Sequence, residues 1–186
     1  MINTDMLTID ELRKLKGHVV CHPLGAIRLL FNRGGKKLVY HFYSDQSPMQ
    51  DPTNLHNHPY TFTSTVFKGT LRNYIYDISE SETETEHKMI QRECCEGSET
   101  PTIYANVDRV NTLTFDVTEG QTYNIHHSVI HKLEIITPKA ISLIEKEPTV
   151  NMPYFVLEQH IEHKDEELFN LKSTDECWEI IEYTLE

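Results

Sequence analysis

Two histidines stand two residues apart in Leu55-His56-Asn57-His58-Pro59-Tyr60, and a third closes the run His126-His127-Ser128-Val129-Ile130-His131. Successive side chains of an extended segment leave on opposite faces, so His56 and His58 point the same way and both imidazoles can reach one ion. A third ligand must come from elsewhere in the chain, and His131 is the histidine placed to supply it. Three neutral imidazoles leave positions open for water, dioxygen or a chelating substrate, as in a catalytic rather than a structural metal site. The competing reading is a set of surface histidines in a chain that has eleven of them.

Other side chains near these three could handle protons or orient a substrate. His126 and His127, in the turn before His131, could reach the metal or act as a general base, or form an exposed loop pair. Tyr60 could donate its phenol to substrate, or pack as an aromatic at a barrel rim. His41, in the alternating run Val39-His41-Tyr43, could hydrogen bond to a ligand imidazole or to substrate, or sit as a satisfied half-buried residue. Arg28 and Arg72 are the arginines to test as carboxylate or phosphate clamps, because a planar bidentate donor orients such groups. Alternation allows each of them two registers, one inward and one outward.

The elements that position these residues read as short strands. Ala26 to Phe31 and Lys36 to Tyr43 form a hairpin around Asn32-Arg33-Gly34-Gly35, whose glycines permit positive φ. Residues Ser47 to Asn54 form a loop delivering the chain to His56. Strands follow at Phe62–Lys68 and Leu71–Ile78 with Gly69-Thr70 at the turn, then at Lys88–Cys94, Pro101–Tyr104, Thr112–Val117, Thr122–Ile125, His131–Thr137 and Ala140–Lys146. Ser79 to Glu86, SESETETE, reads as a solvated acidic loop. Many short strands at regular spacing predict an all-β antiparallel sandwich or barrel. A helix begins at Thr8, with Glu11 completing a capping box and Gly17 as the stop. A second capped helix lies within a helical tail at about 164–185, opening at Ser173 with Trp178, Ile181 and Leu185 on its apolar side, and is expected to close one end of the barrel or join a dimer contact.

Length and charge narrow the classes. At 186 residues the chain is expected to form a single domain, with its core at about 26–148. Acidic residues outnumber basic ones 29 to 17, a formal charge of -12, which disfavours nucleic acid as a partner. No apolar run is long enough for a membrane span and the start MINTDMLTIDELRK lacks the form of a secretory signal, so a cytoplasmic protein with no membrane partner is expected. Cys21, Cys94, Cys95 and Cys177 show no C-x-x-C spacing and read as reduced thiols.

The motifs resemble those of the cupin superfamily. His56-Asn57-His58, followed by Phe62 and Gly69, is similar to its first motif, His-x-His, three or four residues, Glu, six residues, Gly. Gly120 followed by His126, Ser128 and His131 is similar to its second, Gly-x5-Pro-x-Gly-x-x-His. The likeness covers roughly residues 37 to 146. Phe62 stands where the family has a glutamate ligand, and His126 and Ser128 replace the proline and glycine. The resemblance implies a double-stranded β-helix, or jelly-roll barrel, with His56, His58 and His131 as the metal ligands. Three-histidine cupins include thiol dioxygenases, and HNHPYTFTSTVFKGTLRNYIYDI is similar to their sequence in spacing. Of their Ser-His-Tyr signature only Ser142 is present, with Ile144 and Lys146 at the other two places, and Thr63 stands where they carry a crosslinked cysteine. HxHP[W/Y]xFxSxxxKG with a later His-Lys/Arg-x-Glu also resembles a group of small bacterial and phage cupins.

The resemblance implies an inward face shared by Phe62, Ser64 and Val66 with the histidines. It sends Leu133 and Ile135 inward beside His131, and Lys132 and Glu134 outward. The expected function is a metal-dependent enzyme, an iron(II) dioxygenase acting on a small organic molecule, with nickel, manganese or zinc also fitting the ligands. Two alternatives stay open. One is a binding or sensing module without turnover. The other is a metal-independent sugar-nucleotide isomerase, which needs a His–Asp dyad that Asp77 or Asp116 would have to supply. A homodimer is a further expectation.

Overall fold

Alternating side chains divide the strands Ala26–Arg33, Lys36–Ser44 and Lys139–Lys146 between two apolar faces, and the architecture of the sheet follows from that division. The computed structural model describes residues 7–22, 25–47, 55–83, 85, 87–92, 102–150, 154–158 and 172–186. Helix α1 (Ile9–Lys14) leads into β1 (His18–His22), β2 (Ala26–Arg33), β3 (Lys36–Ser44), β4 (Leu55–His56), β5 (Phe62–Lys68) and β6 (Thr70–Ser81). Next come β7 (His87–Arg92), β8 (Thr102–Thr118), β9 (Thr122–Ile125), β10 (Ile130–Ile135), β11 (Lys139–Lys146), β12 (Tyr154–Glu158) and helix α2 (Thr174–Leu185). The fold is an all-β jelly roll of antiparallel strands. One sheet has the order β1-β2-β3-β11-β5-β9, and the other six strands close into a ring, β10-β4-β12-β7-β8-β6.

The two faces of the first sheet do different work. Ile27, Leu29, Leu38, Tyr40, Phe42, Ile141 and Leu143 point to one side, where they bury Leu12 of α1 and Cys177, Ile180 and Ile181 of α2. Both helices carry complete capping boxes, Thr8 with Glu11 and Ser173 with Glu176. Helix α2 therefore lies across the outer face of this sheet instead of closing a barrel end, because its buried stripe matches the apolar residues of β1, β2, β3 and β11. Trp178 is half-buried at the stripe's edge, 5.3 Å from the Arg13 guanidinium. Lys68 and Lys139 donate to the last carbonyls of α2, at Thr184, Leu185 and Tyr183, supplying cations where the helix dipole is negative.

The opposite face looks into the interior. Val39, Phe62, Ile125 and Ile144 form one apolar cluster there, and Ala26, Tyr43, Val66, Leu71, Val117 and Ala140 form another. The ring has its own small core of Leu55, Val107 and Ile130 with Tyr76, Ile78 and Met89 packed on it. Thus β4 and β10 each send one residue into the ring, Leu55 and Ile130, and the next one, His56 and His131, out towards the first sheet.

Several boundaries differ from those expected. Strand β1 pairs fully with β2, from His18 opposite Leu30 to His22 opposite Ala26, although its pattern is too short to stand out. Residues 102–118 form one strand where two were expected, because the intervening Ala105–Asn111 pair with β6 and β7. β6 runs on through Ser81, opposite Asn106, so the acidic loop begins later; backbone pairing outweighs the weak strand propensity of Ser and Glu. Thr85 in that segment accepts from the Val107 amide at 3.1 Å. β12 was not expected. Residues 48–54 of the predicted loop, Glu84 and Glu86, Glu93, Cys94 and Cys95, Pro101 and residues 164–171 of the tail lie outside the described residues. Cys21 and Cys177 are buried free thiols, as expected. No helix among the described residues is long and apolar enough to cross a membrane.

The hairpin turn between β2 and β3 is Gly34-Gly35, both at positive φ, as the sequence requires. Gly69 joins β5 to β6 at φ +78, and a Cβ there would lie 2.3 Å from the Lys139 carbonyl oxygen and 2.4 Å from Thr137 Oγ1. Gly69→Ala is therefore expected to cost more than the roughly 1–3 kcal/mol of a strained backbone conformation alone. A denaturant midpoint unchanged from the wild type would refute this reading of the turn.

Candidate metal centre

Backbone pairing brings the first two imidazoles together. His56 lies opposite His131 across β4 and β10, and on its other side opposite Val156 of β12, so a two-residue strand is clamped from both edges. His58 follows just beyond β4, and its ring centroid is 4.7 Å from that of His56 and 5.1 Å from that of His131. One ligand atom from each of the three histidines lies within 4.8 Å of the others. Small side-chain rotations bring such a set to the roughly 2.0–2.1 Å bond lengths of a metal-bound imidazole.

The protonation of these rings suits a cation. Burial, followed by the neighbouring charge of His56, pushes His131 down to about 3. Burial also pushes His58 well below the ordinary histidine range, with His56 and His131 adding to it. Both rings are neutral at pH 7 and keep a lone pair. His131 Nδ1 lies 3.1 Å from the Val129 carbonyl oxygen. A hydrogen on Nδ1 donated to that carbonyl leaves Nε2 as the free ligand atom, a tautomer fixed by the backbone.

Phe62, in place of the motif glutamate, is buried with its ring 5.2 Å from His58 and 5.9 Å from His131. It contributes an apolar wall and no charge. Leu133 and Ile135 turn inward as expected, whereas Lys132 lies 5.8 Å from the Tyr74 ring and Glu134 accepts the Tyr74 hydroxyl on the opposite face. Glu134 is therefore excluded as a fourth ligand.

The proton-handling residues expected from sequence separate into two places. Tyr60 stacks on His58 at 5.1 Å and lies under the Lys146 ammonium at 4.3 Å, beside the three histidines. His41 is half-buried on the inner face, with Nδ1 3.2 Å from the Tyr43 hydroxyl. His126 is exposed with Nδ1 2.9 Å from Ser128 Oγ, and His127 lies beside it with Nδ1 3.5 Å from Thr61 Oγ1. These two sit in the turn that leads to β10, outside the group of three.

Pairing also resolves the two arginines. Arg72 donates from Nε to Asp116 Oδ1 at 2.7 Å and from its terminal nitrogen to Oδ2 at 2.9 Å, on the outer surface. Arg28 lies opposite His41, which lies opposite Ser142, and this row faces the interior. Asp116 is thus engaged outside and Asp77 is exposed, so neither supplies the His–Asp dyad of the isomerase alternative. Two residues at the interior went unnoticed as site residues in the sequence. His22, at the end of the unexpected β1, is pushed well below the ordinary histidine range by burial, with the charges of Arg28 and His56 adding to it, and Lys146 marked only a missing tyrosine. Recognising HVVCH as a strand would have revealed the first.

No protein-family model matches the chain, and no curated protein matches it in sequence. Among solved structures, hydroquinone 1,2-dioxygenase from Sphingomonas sp. TTNP3 is similar at 6% identity and a TM-score of 0.38, over 64% of this chain and 64% of that one. Hydroxypropylphosphonic acid epoxidase from S. wedmorenis gives 9% and 0.40, over 71% of this chain and 56% of that one. A protein of unknown function from Vibrio parahaemolyticus gives 14% and 0.34, over 65% and 86%. Scores this low decide nothing about activity.

The outer placement of Arg72 is open to test. Arg72→Ala is expected to leave metal content and ligand binding at wild-type levels, since an exposed ion pair contributes little. Loss of either would place Arg72 at the site.

Proposed function

We propose that this protein is a metal-dependent enzyme of the cupin superfamily, with His56, His58 and His131 holding a divalent ion, iron(II) by preference. The convergence of three imidazoles within 4.8 Å carries this reading. In support, the donor set fits such an ion: the rings of His58 and His131 are neutral, and the contact of His131 Nδ1 with the Val129 carbonyl leaves Nε2 as its ligand atom. Nickel, manganese and zinc fit the same donors. An all-nitrogen set adds no anionic side chain, so a bound ion would keep its positive charge, polarise a substrate oxygen and offer open positions to dioxygen.

The reaction we infer is dioxygenation of a small organic molecule, in which the substrate supplies the electrons that reduce dioxygen and receives both oxygen atoms. Phe62 excludes water from one side of the ligands. Tyr60 holds its phenol next to His58, where it can donate to a substrate oxygen. His41, oriented by Tyr43, is the interior group for moving a proton, and His126 and His127 are assigned to proton exchange at the turn before β10. A homodimer and a cytoplasmic setting belong to the same proposal.

Elemental analysis of untagged protein tests it, run beside a His56→Ala/His58→Ala variant, with oxygen uptake followed on adding ferrous iron and a panel of small phenols and organic acids. Near-stoichiometric metal in the wild type, lost in the variant, together with substrate-dependent oxygen uptake, is the expected result. Metal without uptake would leave a binding module. No metal, and no thermal stabilisation by divalent ions, would remove the enzyme reading altogether.

A further inference from the structure

Five groups with donor capacity line the interior between the first sheet and the three histidines: Arg28, Lys146, His22, His41 and Tyr43. Arg28 and His41 are register neighbours on the inner face, and His41 in turn pairs with Ser142. The charge of Arg28 acts on His22, His41, His58 and Tyr43, and that of Lys146 acts on His22, His41 and His58. Among the described residues, no carboxylate acts on any of those three histidines. The interior beside the metal ligands is therefore cationic and lacks an acid among the described residues.

Arg28 adds a geometric observation. Its Nε is buried and has no hydrogen-bond partner. A guanidinium presents its donors in a planar fork that matches a carboxylate or a phosphate, and a buried donor without an acceptor is costly to keep. Arg28 and His41 lie on the inward side of β2 and β3 and are half-buried. Burial holds the Tyr43 phenol protonated and His41 neutral. With the Tyr43 hydroxyl donating to Nδ1, His41 carries its hydrogen on Nε2, a donor free for an oxygen acceptor.

We propose that Arg28 anchors an anionic group of the substrate, a carboxylate or a phosphate, in the interior on the side of the first sheet that faces His56, His58 and His131, with Lys146 and His41 as further donors. The substrate is then a small organic acid or phosphate ester whose reacting end meets the metal ligands. This deepens the metal-enzyme reading and rests on it for the reacting end alone. Anion capture by Arg28 stands without the metal.

The test is isothermal titration calorimetry with succinate and with inorganic phosphate, at a fixed chloride concentration. The proteins are the wild type, Arg28→Met, Arg28→Lys and the His56→Ala/His58→Ala variant, each checked for folding by circular dichroism. Saturable binding of one anion to the wild type and to the double histidine variant is expected. A loss of at least tenfold in affinity is expected in Arg28→Met, with partial recovery in Arg28→Lys. The anion that binds more tightly identifies the group as carboxylate or phosphate. Equal affinity in Arg28→Met, or no saturable binding to any folded protein, overturns the proposal. Binding lost in the double histidine variant with Arg28 intact also overturns it, because the anion would then be held by the ion.

Discussion

The pairing of His56 with His131 is the contact on which the site depends. It joins β4 to β10, and β4 has only two residues, so the ring closes through a single short rung. Leu55 and Ile130, on the other face of that rung, are buried in the ring's small core. Burying a leucine contributes about 2 kcal/mol, as much as a few backbone bonds at roughly 0.5–1.5 kcal/mol net each. The packing of Leu55 thereby sets the direction of His56. Strand alternation converts an apolar contact on one side into imidazole placement on the other.

Electrostatics in the interior are unbalanced in one direction. Arg28 and Lys146 lower the proton affinity of the buried histidines, which keeps those rings available as ligands. The same two charges repel a divalent cation. An anion between them and the ion relieves that repulsion, so a metal and an acidic substrate would strengthen each other's binding. Phe62 sharpens the need, because the motif glutamate that could have supplied the negative charge is replaced by a hydrocarbon ring. Charge that the motif glutamate would place on the protein would here arrive with the substrate.

Much of this was legible in the residues. The His-x-His period, the positive-φ glycines at 34, 35 and 69, and both capping boxes carry local physics that survives any tertiary context. The inward set Phe62, Ser64 and Val66 was implied by the resemblance of the motifs and is buried as expected, although the non-strand residues 57–61 separate it from His56. What could not be read depended on partners distant in sequence. β8 looks like two strands until β6 and β7 pair with its middle, and β1 is too short to announce itself. Arg28 and Arg72 are equivalent in the sequence; the register with His41 turns one inward, and the pairing with Asp116 holds the other outside.

Extended X-ray absorption fine structure on protein loaded with ferrous iron tests the central claim most directly, because it reports the atoms bound to the ion. A first shell with three imidazole nitrogens at about 2.1 Å, with the outer-shell scattering of the rings, is the result this account predicts. A shell of sulfur or of oxygen alone, without imidazole scattering, would contradict it.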